Sequence, residues 1–270
     1  MGPIPQTAGE RWTADALTEL RGDGYSRTAW IRFLRASLER SGQTRRAHPA
    51  LALQARRWGA LGAAGWLLGC GVMRRSAASA DPLPGLLWWL SVWRMLDWHL
   101  GMAEAVDGTR RERLSSADAL SLARLWLVPA LFAARGSPQS LSALILAGGL
   151  SDLLDGELAR RHGCTRLGRD LDTAADICFL SAAAAAAWTA GRLPGIGAWC
   201  LGLRHAVGFG AAVQETFVSS RRPPGGARRW GAVLRVGGLA LVARGRHRSG
   251  TVALVGGCLV PPRQIRSPSS

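Results

Sequence analysis

The sequence predicts an all-α protein built into a membrane, and three features carry that expectation. First, segments with few charges recur at 58–73, 85–103, 119–134, 140–155, 172–190, 194–213, 230–243 and 251–260. Several approach the roughly 17–25 residues that span a bilayer, although the last two fall well short. A soluble helical bundle accommodates any one of them, but eight in series point to a bilayer. Second, all 34 basic residues are Arg, and they gather in the polar first 50 residues and in the connecting loops. A net charge of +16 invites nucleic acid. Arginines placed between apolar segments are better explained by the positive-inside rule and anionic headgroups, so no nucleic-acid partner is expected. Third, four regularly spaced aspartates, Asp152, Asp155, Asp172 and Asp176, lie within 25 residues between two strongly apolar segments. An ionised group at that depth is costly unless something pairs with it, which makes it a functional-site candidate.

Residues 1–57 read as a basic cytoplasmic arm. Helical character is weak around Thr13–Leu20, then Trp30, Phe33, Leu34 and Leu38 recur at helical spacing among Arg27, Arg32, Arg35 and Arg40, with Ser26 placed to cap. This amphipathic helix lies either on the membrane surface or on the protein's own cytoplasmic face. Residues 58–105 supply two extra apolar helices. The second holds Leu86-Leu-Trp-Trp-Leu-Ser-Val-Trp93 and Trp98, which read as interfacial anchors, and ends in Asp97 and His99, read as a polar terminus at headgroup level. Residues 106–262 hold six further apolar segments. Ala182–Ala187 continues the helix that starts near Asp172, its small residues permitting close helix contact. Pro261-Pro262 ends the pattern, and 263–270 reads as a disordered tail.

Five cysteines show no metal-ligand spacing and read as small core residues. With no apolar h-region in the first 50 residues, a cleaved signal peptide is not expected. Basic clusters at Arg110, Arg111 and Arg113, at Arg160, Arg161, Arg166 and Arg169, and at Arg221, Arg222, Arg228 and Arg229 follow every second segment. That places them, the acidic region and both termini in the cytoplasm. Arg74-Arg75 and the run Arg244, Arg246, Arg248 fall on the other side, a discrepancy that a re-entrant hairpin of the last two segments removes for the second cluster. Exclusive use of Arg suggests a GC-rich genome, hence a bacterial inner membrane.

On a helix, Asp152, Asp155, Gly156 and Ala159 fall at i, i+3, i+4 and i+7, one face; Gly168, Asp172 and Asp176 repeat the arrangement at i, i+4 and i+8. Two such helices packed antiparallel bring four carboxylates to one pocket, and the small residues Gly156, Ala159 and Gly168 leave room for a flat ligand. Hard oxygen donors select Mg²⁺ or Mn²⁺ over zinc, and Mg²⁺ commonly sits between carboxylates and substrate phosphates, so a pyrophosphate substrate is implied.

The string resembles the signature of the CDP-alcohol phosphotransferase (phosphatidyltransferase) family, D-x-x-D-G-x-x-A-R, about eight residues, G-x-x-x-D-x-x-x-D. Every fixed position is filled, by Asp152, Asp155, Gly156, Ala159, Arg160, Gly168, Asp172 and Asp176, although the seven residues Arg161–Leu167 make the connection one shorter than usual. Ser116 to Pro129 resembles the family's first core helix, with Asp118 where Asn is common. The resemblance implies a six-helix membrane core and transfer of a substituted phosphate from a CDP-alcohol, usually CDP-diacylglycerol, to an acceptor hydroxyl with release of CMP. It also implies Mg²⁺ (or Mn²⁺) on Asp152, Asp155, Asp172 and Asp176, with Asp176 as general base. Arg160 matches the residue that binds a CDP phosphate; Gly156, Ala159, Thr165 and Gly168 shape the nucleotide site, which Ser116 and Asp118 close. Homodimers are typical of the family.

The acceptor side is written less plainly. Arg204, Arg221 or Arg222 could hold an acceptor phosphate, and Arg124 and Arg235 raise the same question; equally, Arg204 could pair with Glu215 or a signature acid. After Asp176 the chain continues Ile-Cys-Phe, where several glycerophosphate-using relatives carry a basic residue. Two rival readings are a cation transporter and a catalytically silent membrane scaffold. Neither accounts for Gly156, Ala159, Arg160 and Gly168 at these offsets beside intact acids.

Overall fold

The computed structural model describes residues 7–75, 81–105, 107–162, 165–214 and 229–260. Those residues form ten α-helices and no strand beyond isolated bridges: α1 Ala8–Gly22, α2 Arg27–Ala47, α3 Pro49–Arg75, α4 Pro82–His99, α5 Ser116–Ala133, α6 Pro138–His162, α7 Arg166–Thr189, α8 Gly195–Gln214, α9 Arg229–Ala243 and α10 His247–Leu259. Each of the eight apolar segments becomes a helix, α3 to α10. Two described segments, Ser116–Gly136 (21 residues) and Arg166–Thr189 (24 residues), are long and apolar enough to cross a bilayer, and Trp230–Ala243 is apolar but shorter. The chain divides into two compact units, 1–126 with 154–175 and 127–153 with 176–270, so that α5, α6 and α7 each contribute to both.

The first unit begins with two capped helices. Thr7 and Glu10 close a capping box at the start of α1, which runs longer than the weak helical pattern indicated. Ser26 caps α2 through the Ala29 amide. Along α2, Ala29, Ser41 and Thr44 are buried, whereas Trp30, Ile31, Leu34 and Leu38 keep between 37% and 42% of their surface exposed.

Packing of α3 on α4 gives several indoles partners within the chain: Trp89 Nε1 donates to the Gly59 carbonyl at 2.7 Å, Trp93 to Ala55 at 3.1 Å and Trp66 to Pro82 at 2.9 Å. Trp126 of α5 donates to Gly62 at 2.8 Å and Trp88 to Leu125 at 2.8 Å. A buried indole is large and apolar but needs one acceptor, and a carbonyl beside a glycine is reachable. A Cβ on Gly62 would enter the Trp89 ring. Asp97 is 4% exposed, not a solvated helix end as its sequence position suggested. Arg45 and Arg94 both pair with its carboxylate, and its carbonyl accepts from Ser41 Oγ at 3.1 Å.

Between α4 and α5 the chain makes a hairpin-like turn, with bridges from Glu104 to Arg110 and from Ala105 to Thr165. Glu104, 3% exposed, accepts from the Gly9 amide at 2.9 Å and from Arg110 at 2.8 Å. Burial alone would push its carboxyl up, but hydrogen bonds from Arg110, Gly9 and Thr7, with the Arg110 charge, hold it below the usual range.

In the second unit, Phe179 of α7 packs where Gly148 of α6 has no side chain, and Val236 of α9 packs on Gly149. Helices α9 and α10 form a hairpin through Gly245, at φ 93°. Their backbones touch: a Cβ on Gly250 would lie 2.7 Å from the Val242 amide nitrogen, and one on Gly257 2.8 Å from that of Arg235. At 15 and 13 residues these helices are about 22 and 20 Å long, short of a hydrocarbon core of about 30 Å.

Two measurements test this packing. Gly62→Ala should lower the thermal midpoint by the equivalent of about 1–3 kcal/mol, because the Trp89 ring must move. Gly69→Ala, whose Cβ meets nothing within 4 Å, serves as the near-neutral comparison. Because the Glu104 carboxyl is held below its unfolded value of about 4.3, its contribution is present above that pH and lost as pH falls through the folded value. A Glu104→Gln variant should therefore lose stability relative to wild type at pH 7, with the gap closing in acid; a constant gap would refute the linkage.

Candidate metal centre

The signature acids sit on α6 and α7. Asp152 on α6 and Asp172 and Asp176 on α7 each offer a carboxylate oxygen, and these three oxygens lie within 4.8 Å of one another. All three residues are half-buried. Asp172 and Asp176 stand one helical turn apart on a single helix, so their common face follows from local geometry. Three carboxylates this close repel one another in apolar surroundings unless a cation is near. Oxygen-only donors at this spacing fit a hard divalent ion.

Asp155, the fourth acid, faces α5. It is 4% exposed and forms an ion pair with Arg124, itself 1% exposed, while Ser121 Oγ donates to the same carboxylate at 3.3 Å. Arg124 also reaches Asp172 Oδ1 at 2.9 Å. One buried guanidinium thus bridges two signature acids from different helices. Sequence reasoning questioned Arg124 but did not pair it. The available signal was the run Asp118, Ser121, Arg124 at intervals of three, which puts all three on one face of α5.

Gly168 packs against Asp118 and Thr165. A Cβ there would lie 2.7 Å from Asp118 Oδ1 and 3.1 Å from Thr165 Oγ1. The space left by its missing side chain accommodates Asp118 of the chain itself. Asp118 is buried and closes a reciprocal cap at the start of α5, accepting from the Ser115 amide at 2.7 Å while Ser115 Oγ accepts from the Asp118 amide at 3.2 Å. Thr165 caps α7 through the Gly168 amide at 2.9 Å. Ser116 is exposed in the first turn of α5, and Gly156 follows Asp155 on α6. Ala159 and Arg160 also belong to α6. Arg221, Arg222 and Glu215 lie outside the described residues.

Arg204 and Arg235 bind carbonyls at the end of α10. Arg204 Nη1 donates to Cys258 at 3.0 Å and Val260 at 3.3 Å, and Arg235 Nη1 donates to Gly257 at 3.0 Å. Among the described residues Arg204 thus meets main-chain oxygens at a helix C-terminus, which attract cations; the alternative pairing with Glu215 lies outside the described residues. Arg235 lies in the electrostatic field of Asp152 and Asp176.

Removing Arg124 should be severe. Arg124→Met leaves a buried carboxylate at Asp155 without its cation and is expected to lower stability by about 3–5 kcal/mol, read as a fall in the thermal midpoint of the purified protein. A midpoint unchanged from wild type would show that the pair is not needed.

A family model described as CDP-alcohol phosphatidyltransferase matches residues 114–257, a little over half the chain, and spans every residue of the centre. No curated protein and no solved structure matches the chain. The chain belongs to the CDP-alcohol phosphatidyltransferase family, a family of transferases of substituted phosphate groups.

Proposed function

We propose that the protein catalyses Mg²⁺-dependent transfer of a phosphatidyl group from CDP-diacylglycerol, or another CDP-alcohol, to an acceptor hydroxyl with release of CMP, in phospholipid synthesis. The observation that carries this reading is the approach of Asp152, Asp172 and Asp176 within 4.8 Å of one another, inside a family match that implies a CDP-alcohol donor. On this reading α5 to α10 are the six-helix core, α3 and α4 are additional membrane helices, and the site faces the cytoplasm at a bacterial inner membrane. The working unit is a homodimer.

The donor set suits Mg²⁺ or Mn²⁺: Asp152, Asp172 and Asp176 would hold it, with Asp155 joining if Arg124 releases it. When bound, the ion offsets pyrophosphate charge and polarises the phosphorus under attack. The chain's own groups account for the rest. Asp176 takes the proton of the acceptor hydroxyl, whose oxygen forms a bond to the phosphorus that carries the alcohol. The bond from that phosphorus to the bridging oxygen breaks, and the electron pair leaves with CMP. Arg160 holds a phosphate of the CDP moiety, while Gly156, Ala159, Thr165 and Gly168, with Ser116 and Asp118, shape the nucleotide end. Arg204, Arg221 and Arg222 are the candidates for an acceptor phosphate.

Purified protein given CDP-diacylglycerol, Mg²⁺ and a panel of phosphorylated and free alcohols should release CMP with at least one of them. Chelation should abolish release, and Asp176→Ala should reduce it by about 10²–10⁴-fold. Release unaffected by that substitution would reject the assigned base. Divalent-ion uptake into proteoliposomes without nucleotide would favour a transporter instead.

A further inference from the structure

The arm that precedes the family match is tied to the signature itself. Glu104 is the hub. Its buried carboxylate binds the Gly9 amide at the start of α1 and Arg110 in the following turn, and its carbonyl accepts from the Arg166 amide at 3.0 Å. The next residue, Ala105, pairs with Thr165 across a bridge. Gly9 fits closely here, since a Cβ would lie 3.1 Å from Glu104 Oε2 and 3.3 Å from the Gly101 carbonyl. Glu10 makes the second tie. One of its oxygens completes the capping box through the Thr7 amide at 3.1 Å, and the other accepts from Arg166 Nη1 at 3.3 Å. The same Arg166 bonds Asp170 through Nε at 3.0 Å. On its other side α1 is held by α2, with the Arg40 guanidinium 4.7 Å from the centre of the Trp12 ring.

These ties converge on the first turn of α7, where Thr165 caps Gly168 and Gly168 packs on Asp118. Loop segments at a site are mobile unless pinned, and exact placement of substrate-binding groups governs how well a ligand is held. We propose that Glu10 and Glu104 are positioning residues for the nucleotide end of the donor: acting through Arg166 and the 104–105 segment, they set the Thr165–Gly168 turn that the nucleotide meets. The assignment rests on the phosphotransfer reading above. It gives the N-terminal arm a role in donor binding although the arm lies outside the family match.

Glu10→Gln is the discriminating variant, because glutamine still serves the capping box and keeps α1 intact while the charge opposite Arg166 is removed. In the full chain in nanodiscs, Glu10→Gln should raise the donor KM about two- to fivefold, as expected for a partly exposed ion pair, with kcat and acceptor KM within twofold of wild type. Glu104→Gln should raise donor KM about tenfold or more. In both, amide exchange at Arg166, Gly168 and Arg169 should speed up while α8 to α10 stay protected as in wild type. Glu10→Asp should restore part of the loss. The proposal is overturned if donor KM stays at the wild-type value in both variants, whether or not exchange rises. It is equally overturned if donor KM, acceptor KM and melting midpoint worsen together, the mark of general destabilisation. If the wild type releases no CMP from any donor, the phosphotransfer reading fails, and the exchange data still report whether the ties hold the turn.

Discussion

Negative charge in apolar surroundings is the constraint around which this molecule is arranged. Three carboxylates approach within 4.8 Å of one another on two helices, and a fourth is fully enclosed. Ionised acids in such a setting must have cations beside them or take up protons. Arg124 supplies one such charge from α5, meeting both Asp155 and Asp172. Asp152, Asp172 and Asp176 are the oxygen donors that, on the proposed reading, would hold a divalent ion. Folding and chemistry therefore draw on the same residues: the pair that makes α5 adhere to α6 and α7 also sets the direction of two signature acids.

Close approach is the second condition, and small residues provide it. Where α3 meets α4 and α5, Gly59 and Gly62 offer their carbonyls to the indoles of Trp89 and Trp126, so each of these two rings buries apolar surface and satisfies its N–H at once. Where α9 meets α10, glycines bring backbones into contact. Close helix contact of this kind is built from such packing and from hydrogen bonds between helices. Gly168 belongs to the same pattern, since its missing side chain admits Asp118 and so brings the start of α5 against the start of α7.

Charged ties at the end of α4 and in the turn after it serve a different end. Asp97 with Arg45 and Arg94, and Glu104 with Arg110 and the Gly9 amide, join the polar arm to the turn after α4. A buried ion pair adds little net stability but specifies one arrangement among many, because any other leaves a charge unmatched. Here the arrangement specified is the placement of α1 beside the first turn of α7.

Sequence alone determined the helical elements and the family to which the chain belongs. The eight apolar segments are the helices α3 to α10, Ser26 caps α2 where its position indicated, and the spacing of Asp172 and Asp176 places both on one face of α7. All of these depend on neighbours within about one helical turn, which is the range over which a sequence states its own geometry. Tertiary structure alone decided which partner each polar group takes. Arg124 lies 31 residues from Asp155 and 48 from Asp172, Glu104 lies 95 from Gly9, and Arg204 lies 54 from the carbonyl it binds. Such pairings follow from the rotation and depth at which helices pack. Hydropathy marks a side chain as buried but leaves open which neighbour meets it, so Asp155, Asp97 and the tryptophans found partners that only the assembled helices could bring to them.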